Sequence, residues 1–566
     1  MLDPDAPPGF VYNQMSKAVA QIWLQSTGFR SGDAGLYQLK AASSGEYCLF
    51  VTLRHQGMHQ PAGNRLRRTK FAGIAVLTIS AAAVLATVGC GVQYRPVVSA
   101  IGPVGPAGQP TKYAVAISTP TLANSLGLAT IVDFSGDTVL STPNIQVNPS
   151  YLQVNSFTST TGTQATQAYV INPEGSLDTF PLSNPTSLLT SDVVQTTLPV
   201  GSDPVSINSF APASGLATIF IPQAGTDTIA ALNATTAALY DTVNIEGGGS
   251  NPIYVVGTTG TPRVYAISQN AAGGPGQVDA LETISTVSLS DSAQIPVGIT
   301  PVYGVMTADD RRAFIINQGS NDVTVLNVPS NALDILPTGS VPTGTALGTI
   351  PIPAIPISSG GTVPPNPVWA DLNTTSSQLV VLNQGDGVHA GTLSVITIPL
   401  CNAAAQATNP NCSATNPVDA TGFGQILANV PVGVNPTMVS VLQGTDGNAP
   451  AAYVINQSDS TGTCPNSTTG TAGAGTVTVV NLQTDQVTTT ICGVNGNAAT
   501  AAINGTSNLI FGHPNSISAT GGEPTGKVYV TASDNQYMDV IYTDTNTVQT
   551  HVPLQGNGLR VLVTAP

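Results

Sequence analysis

The sequence predicts an all-β protein built from repeated four-stranded units. Short runs rich in Val, Ile, Thr and Tyr recur along the chain, bounded by Gly, Pro, Asn and Asp, as is typical of strands and turns. The phrase "RAFIINQGSNDVTVLN" at 312–327 returns in altered form at 378–387 and 451–460. After residue 91, almost no segment shows the 3.6-residue apolar period of a long helix. Four-strand repeats of about 40–50 residues indicate a β-propeller.

The charge of the chain is low in density and uneven in distribution. Charged residues make up 8% of the 566 residues, and the formal net charge is −15. Eight of the 15 Lys and Arg residues precede residue 71, whereas 26 of the 30 acidic residues follow it. An acidic surface of this kind repels phosphate backbones, so nucleic acid is not an expected partner. It also repels anionic lipid headgroups, so membrane attachment needs an anchor other than charge.

An export signal is predicted near the N-terminus. The basic stretch at 64–70 precedes 19 uncharged residues at 71–89, and Cys90 follows small residues. The "TVGC" ending at Cys90 is similar to a bacterial lipoprotein lipobox, which implies cleavage before Cys90 and its lipidation, although Thr87 stands where such boxes usually have Leu. The alternative is an uncleaved transmembrane anchor, since 19 residues just span a bilayer. Both place the remaining chain in the periplasm or on the cell surface.

The position of this signal indicates how the first part of the chain is organised. Met58 lies 13 residues before the apolar segment, and translation from Met58 would give an ordinary signal peptide at 58–90. Residues 1–57 are then a spurious or disordered extension. The alternative, a small cytoplasmic domain, is weaker because 57 residues make a marginal core. The Pro/Gly-rich stretch at 91–111 is interpreted as a tether, and 112–566 as the propeller.

Each predicted unit contains four strands, named A to D from the inside outward. Strand B is the clearest, and its copies lie at 112–118, 168–172, 217–221, 263–268, 313–317, 379–383, 452–456 and 527–531. Strand C follows at 322–327, 392–397, 476–481 and 538–543. A proline closes nearly every copy, at a strand boundary where its missing N–H costs nothing. The count gives eight blades, with seven as the alternative.

The two ends of the repeat array predict how the ring closes. No A strand precedes the first B strand, whereas 558–566 reads as an A strand with nothing after it. We therefore expect the C-terminal strand to complete the first blade, which pairs two otherwise exposed strand edges. Insertions lengthen the later units at 345–365, 401–412 and 495–511.

The repeat resembles the YVTN family of bacterial propellers. "AFIINQGSNDVTVLN" at 313–327 and "AYVINQ" at 452–457 match its strand phrases, and "IPVGITP" at 295–301 matches the end of its unit. The resemblance covers about 112–566 and implies the fold. Eight blades would depart from the seven that are usual in this family. Some similar propellers resemble sugar lactonases, but no catalytic residue of that kind is assigned here.

Four cysteines follow Cys90. Even numbers in an exported chain favour disulfides, and the spacing predicts Cys401–Cys412 and Cys464–Cys492, each pinning a long loop. No CxxC motif or nearby His pair indicates a zinc site. Neither a metal nor another cofactor is predicted.

The loops at one end of the channel are the candidate binding surface. In propellers, the D–A and B–C loops share one face, and here they carry neutral hydrogen-bonding residues. The candidate rim residues are His513, Asn317, Asn383, Asn456, Asn435 and Asp203. They would bind a sugar or peptide through directional hydrogen bonds. The alternative is that Asn and Asp before Pro or Gly simply form turns. His513 is the rim member able to titrate near neutrality.

Catalytic motifs are scarce. Only three histidines follow residue 91, and there is no HExxH, GxSxG or Walker sequence. Arg311 and Arg312 are expected in an exposed turn, whereas Trp369 and Tyr265 are expected in the core. The predicted function is a monomeric, anchored binding scaffold for a protein, peptide or glycan. The alternatives are a lactonase-like hydrolase with its site at the channel mouth and a structural cell-surface protein.

Overall fold

The computed structural model describes residues 112–564 with gaps. The gaps lie at 123–124, 159–163, 211–216, 246–249, 259–262, 286–287, 335–347, 374–376, 399–422, 445–448, 459–463, 465–473, 496–507 and 523–524. The predicted signal, Cys90 and the tether therefore lie outside the described residues, as do Cys401 and Cys412. Among the described residues, no helix combines the length and apolar character needed to cross a membrane.

The described strands form antiparallel sheets of the predicted kind. Units 1 to 4 contain the following strands: unit 1, β1 (Tyr113–Thr119), β2 (Leu126–Asp133), β3 (Val139–Ser141), β4 (Asn144–Val147) and β37 (Asn557–Val563); unit 2, β5 (Tyr151–Thr158), β6 (Gln164–Asn172), β7 (Ser176–Pro181) and β8 (Val194–Thr197); unit 3, β9 (Asn208–Phe210), β10 (Thr218–Gln223), β11 (Thr228–Asn233) and β12 (Leu239–Asn244); unit 4, β13 (Pro252–Val256), β14 (Arg263–Ser268), β15 (Pro275–Ser285) and β16 (Ser288–Ile299). Two short 3-10 helices, Pro185–Ser187 and Thr190–Asp192, precede β8.

Units 5 to 8 continue the pattern with insertions. Their strands are as follows: unit 5, β17 (Pro301–Met306), β18 (Arg312–Asn317), β19 (Asp322–Asn327), β20 (Ala332–Leu333) and β21 (Thr349–Pro351); a separate hairpin, β22 (Ile355–Pro356) and β23 (Thr362–Val363); unit 6, β24 (Pro367–Leu372), β25 (Gln378–Asn383), β26 (Ala390–Thr397) and the first part of β27 (Gln425–Leu442); unit 7, the second part of β27, β28 (Ala451–Ser458), β29 (Thr476–Asn481) and β30 (Gln486–Ile491); a parallel pair, β31 (Gly493–Val494) and β32 (Ile510–Phe511); unit 8, β33 (Pro514–Thr520), β34 (Lys527–Ala532), β35 (Tyr537–Tyr542) and β36 (Thr547–Pro553).

The C-terminal strand closes the first unit, as predicted. β37 pairs antiparallel with β1, in a register that places Ala114 opposite Val563 and Ala116 opposite Val561. The first unit therefore joins strands more than 400 residues apart in sequence. This pairing satisfies backbone groups that would otherwise form an open edge.

The innermost strands contact one another in chain order and form a circle. The sequence of contacts is β37, β5, β9, β13, β17, β24, β27, β33 and again β37. This circle of four-stranded sheets is a β-propeller, so the predicted fold class is confirmed. The described residues contribute eight innermost strands, and the blade count of the complete chain stays a prediction.

The apolar core lies between neighbouring sheets. Strands alternate their side chains between two faces, and in the B and C strands both faces are buried, as in β18 and β19. One cluster joins Phe180 of unit 2 to Ile131 of unit 1, and another joins Tyr529 of unit 8 to Val561 of unit 1. Each fully buried Val or Ile contributes about 2 kcal/mol, so the packing between neighbouring sheets is a main source of stability.

Candidate functional site: the channel mouth

One face of the propeller collects the D–A and B–C connections. Because neighbouring strands are antiparallel, every A strand begins at this face and every B strand ends there. We call it the mouth face. The A–B and C–D connections lie on the opposite face.

The residues before the first proline of the A strands form the outer rim of the mouth. In units 2 to 7 they adopt left-handed backbone conformations, with φ between 45° and 56°: Asn148, Asp203, Asn251, Thr300, Asn366 and Asn435. Asn and Asp tolerate this conformation better than other non-glycine residues. Their side chains are exposed or partly exposed, whereas the prolines that follow are buried. The left-handed turn therefore explains why most of these rim residues are Asn or Asp. Because their side chains are at least partly exposed, a ligand can contact them.

The asparagines at the B–C turns are not part of an exposed rim, as the sequence had suggested they would be. Asn317, Asn383 and Asn456 have fully buried side chains. Asn383 Nδ2 donates to Thr392 Oγ1 at 3.0 Å, and Asn456 Oδ1 accepts from the Gly433 amide at 3.0 Å. These groups hold the turn together. A ligand at the mouth does not reach their buried amides.

The glutamines that follow Ser268, Asn383 and Asn456 connect neighbouring units. Gln269 Nε2 donates to the Pro301 carbonyl at 2.9 Å, and Gln457 Nε2 donates to the Pro514 carbonyl at 2.7 Å. Gln384 Nε2 likewise donates to Asn435 Oδ1. The Asn–Gln pairs at 383–384 and 456–457 therefore have two structural roles. The Asn orders the turn, and the Gln bonds the next unit at the start of strand A.

His513 lies on the rim in unit 8 and pairs with an aspartate. Here the left-handed residue is Gly512, with φ of 73°, so His513 precedes Pro514 in another conformation. His513 Nδ1 lies 2.7 Å from Asp534 Oδ2, and its backbone amide donates to Asp534 Oδ1 at 2.8 Å. The pair is partly exposed at the mouth face. Among the described residues, no group of three or more His, Cys, Asp or Glu side chains is arranged to hold a metal.

Below the rim, five inner-strand side chains converge into what we call the channel cluster. Its members are Tyr151, Tyr254, Tyr303, Trp369 and Arg560. Each pairs with an Ile or Leu near the end of a B strand, namely Ile171, Ile267, Ile316, Leu382 and Ile117. They therefore lie at one level of the channel. All five are partly exposed.

The aromatic members of the channel cluster contact one another across units. The ring centroids of Tyr303 and Trp369 lie 3.8 Å apart and are stacked, and those of Tyr254 and Tyr303 lie 4.7 Å apart. Burial, together with the neighbouring phenols, raises the pKa of the Tyr254 hydroxyl well above its usual value. The Tyr254 phenol therefore stays neutral and acts as a hydrogen-bonding group.

Arg560 brings a positive charge from the closing strand into this level. Its guanidinium carbon lies 3.7 Å from the ring centroid of Tyr151 and 5.8 Å from that of Trp369. Its Nη2 donates to the Tyr151 hydroxyl at 2.9 Å. Tyr151 belongs to the adjacent unit 2, whereas Trp369 belongs to unit 6, so Arg560 reaches across the channel. Cation–π contacts of this kind favour a fixed guanidinium plane.

Asp371 is the acidic group of the A strand that carries Trp369. Burial raises its pKa to about 6. Its Oδ2 accepts from the Val441 amide at 2.8 Å, and its Oδ1 accepts from the Leu372 amide at 2.8 Å. Both oxygens are thus engaged with the backbone, which is a structural role between units 6 and 7.

A separate groove lies beside the inserted hairpin. It has a volume of about 580 Å³ and runs between 353–358 on the hairpin side and 388–392 of unit 6. His389 lines it, and His389 Nδ1 lies 2.7 Å from Asp386 Oδ2. This insertion was predicted from the sequence, but the groove was not.

The prediction for Arg312 was wrong. Arg312 belongs to β18, its side chain is fully buried, and its Nε donates to Asp334 Oδ2 at 2.5 Å. Its guanidinium also lies 4.3 Å from the ring centroid of Phe423. The acidic "TADD" before it suggested an exposed turn, but the strand starts one residue earlier than expected. Tyr265 is fully buried as predicted, whereas Trp369 belongs to the channel cluster.

One predicted disulfide falls within the described residues. Cys464 and Cys492 are bonded, with their Cα atoms 5.5 Å apart. The bridge ties the B–C connection of unit 7 to the end of its D strand.

Known proteins resemble this chain in fold only weakly. No family model matches it, and no curated protein matches it. A solved structure of the dihydro-heme d1 dehydrogenase NirN is 12% identical, with a TM-score of 0.48 over 79% of this chain and 74% of that one. Apo AztD from Citrobacter koseri is 10% identical, with a TM-score of 0.43 over 80% and 98%. A putative 6-phosphogluconolactonase from Bacteroides fragilis is 12% identical, with a TM-score of 0.41 over 81% and 100%.

Proposed function

We propose that this chain is an exported, membrane-anchored β-propeller of the YVTN type that binds a protein, peptide or glycan at its channel mouth. One observation supports this most directly. A rim of exposed, mostly neutral side chains surrounds a floor of four aromatic rings and Arg560, contributed by five different units. Recognition sites commonly combine aromatic faces with a few polar groups in this way.

The described part of the chain enters the propeller on the face opposite the mouth. Lys112, the first described residue, lies on the opposite face, where its Nζ donates to the Gly521 carbonyl. Export itself is proposed from the signal-like segment, and the Cys464–Cys492 disulfide is consistent with an oxidising compartment.

The lactonase-like alternative has less support. Such an enzyme needs free acids or a metal at the channel. The nearest acidic side chain on the cluster strands, Asp371, is bound by two backbone amides. Two His–Asp pairs on the mouth face, His513–Asp534 and His389–Asp386, remain as candidate acid–base groups. A structural surface protein with a closed channel is the other alternative, and ligand screening separates it from a binder.

Full-length protein purified in detergent should be screened on glycan and peptide arrays. We expect a defined ligand whose affinity falls by about tenfold in Trp369→Leu, because the variant removes a stacking face. Arg311→Gln, on the opposite face, is the matched control and should bind normally. A ligand that binds Trp369→Leu as tightly as the unaltered protein, or no ligand on either array, contradicts a binding mouth.

The anchor is tested separately by mass spectrometry of the membrane fraction. We expect a diacylglyceryl-modified Cys90 and no peptide from 1–57. An unmodified Cys90 within an intact 71–90 segment supports the transmembrane anchor instead.

A further inference from the structure

We propose that Arg560 is a carboxylate-binding subsite and that the ligand of the mouth is an acidic sugar, meaning a saccharide that carries a carboxylate. This inference rests on the proposed binding function and names the chemistry of the ligand. It is carried by the charge, the geometry and the surroundings of Arg560.

The charge of Arg560 is unusual among the described residues. Four other described cations have a carboxylate partner within 4.0 Å: Arg263 with Glu282, Arg311 with Asp309, Arg312 with Asp334, and Lys527 with Asp137. Lys112 bonds a backbone carbonyl on the opposite face. Arg560 has no carboxylate partner in the described part of the chain, although that part is rich in acids. Its Nε is buried and has no hydrogen-bond partner there.

An unpaired guanidinium in a partly desolvated position calls for an anion. Burying a charge is unfavourable unless it is paired and hydrogen-bonded. The neighbours of Arg560 in the channel cluster are neutral phenols and an indole, which contribute cation–π attraction but no negative charge. A carboxylate that enters from the mouth would supply the missing partner.

The geometry favours a carboxylate. The guanidinium lies over the ring of Tyr151 and is held there by the bond that Nη2 donates to the phenol oxygen. Its donors therefore have a fixed direction. A planar fork of this kind matches a carboxylate or phosphate through two parallel hydrogen bonds.

The surroundings indicate the rest of the ligand. A chain with 30 acidic and 15 basic residues repels polyanions, so a ligand with isolated carboxylates is favoured over a polyphosphate. Within the rim, Asn366 Nδ2 donates to the Gly385 carbonyl and Asn435 Oδ1 accepts from Gln384. The other atom of each of these amides and the Thr300 hydroxyl suit sugar hydroxyls. The partly exposed faces of Tyr254 and Trp369 offer apolar contact to a sugar ring.

The test compares trigalacturonic acid with its methyl ester, which keeps the shape and removes the charge. Titration calorimetry with the full-length protein in detergent should show the acid binding about tenfold tighter or more, since charge-assisted bonds are lost in the ester. The preference should decrease as salt is raised. It should disappear in Arg560→Met and remain in Arg311→Gln.

Arg560→Lys keeps the charge but removes the planar fork, and it serves if Arg560→Met does not fold. We expect it to bind the acid several-fold more weakly than the unaltered protein and to keep the salt dependence. Equal binding of acid and ester, absence of binding by the acid, or an acid preference that survives Arg560→Met overturns the subsite. Binding of only carboxyl-terminal peptides through Arg560 overturns the sugar assignment. An array ligand that binds independently of Arg560 overturns this inference and leaves the proposed binding function intact.

Discussion

Lys527 Nζ and Asp137 Oδ1 lie 2.8 Å apart and join the last unit of the propeller to the first. Both side chains are almost fully buried, and Lys527 also donates to the Phe134 carbonyl at 2.5 Å. The Tyr542 hydroxyl donates to the second oxygen of Asp137 at 2.9 Å. The ion pair is therefore a second link between units 8 and 1, in addition to β37, and it lies nearer the face opposite the mouth.

Lys527→Met should destabilise the protein by about 3–5 kcal/mol, because it leaves the buried Asp137 carboxylate unpaired. The free energy of unfolding in urea measures this. The double variant Lys527→Met with Asp137→Asn is the control, and it should recover a large part of the loss. A loss below about 1 kcal/mol in the single variant contradicts a closing role for the pair.

The buried carboxyls predict that stability rises as the pH falls. Burial raises the pKa of Asp178 to about 6, above the value near 4 of an unfolded aspartate. The neutral form therefore favours the folded state, and this contribution is fully present below about pH 4 and is lost as the pH rises through about 6. Asp178→Asn keeps an acceptor for the Gln146 amide.

For Asp178→Asn we expect the unfolding free energy to change less between pH 4 and pH 7 than it does in the unaltered protein. The difference between the two changes should be on the order of 2 kcal/mol. Asp203→Asn, which alters an exposed rim residue, is the control and should follow the unaltered protein. Parallel curves for Asp178→Asn and the unaltered protein would show that Asp178 titrates normally.

Most of the fold could be predicted from the sequence because its strands and turns produce short, local residue patterns. The predicted strand at 322–327 coincides with β19, and that at 476–481 coincides with β29. The closure by 558–566 followed from an A strand missing at one end and present at the other. Short-range alternation and turn residues carry this information.

The channel cluster could not be predicted in the same way. Tyr151 and Arg560 are 409 residues apart and meet only because the ring closes. The sequence does contain one sign of the cluster. Its four aromatic members each stand two residues after a proline: Tyr151, Tyr254, Tyr303 and Trp369. The Arg312 error has a similar cause, because its partner Asp334 follows after a whole strand and is invisible to local charge patterns.

The buried asparagines predict a stability effect that the rim does not share. Asn456→Ala removes the bond that Nδ2 donates to the Thr478 hydroxyl at 3.0 Å and the bond that Oδ1 accepts from the Gly433 amide at 3.0 Å. We expect a loss of about 2–3 kcal/mol in unfolding free energy, since a buried amide is left unpaired. Asp203→Asn should change stability by less than about 0.5 kcal/mol. Similar losses for both variants would mean that the two positions are equally buried.

The cysteines predict two covalent links. Non-reducing peptide mapping should recover Cys464 joined to Cys492, as the structure shows, and Cys401 joined to Cys412, which is predicted from sequence alone. Replacing both Cys464 and Cys492 by Ala should cost about 3 kcal/mol, because the bridge closes a loop of 28 residues. Free thiols at these positions in protein isolated from the cell would contradict the proposed export.

Removal of residues 557–566 tests the ring closure most directly. This truncation takes away β37, the partner of β1, and with it Arg560. We predict that the truncated chain loses cooperative thermal unfolding and is cleaved rapidly in limited proteolysis, while the full chain stays resistant. A truncated chain that unfolds cooperatively at the same temperature and resists the protease would contradict a propeller held closed by its last strand.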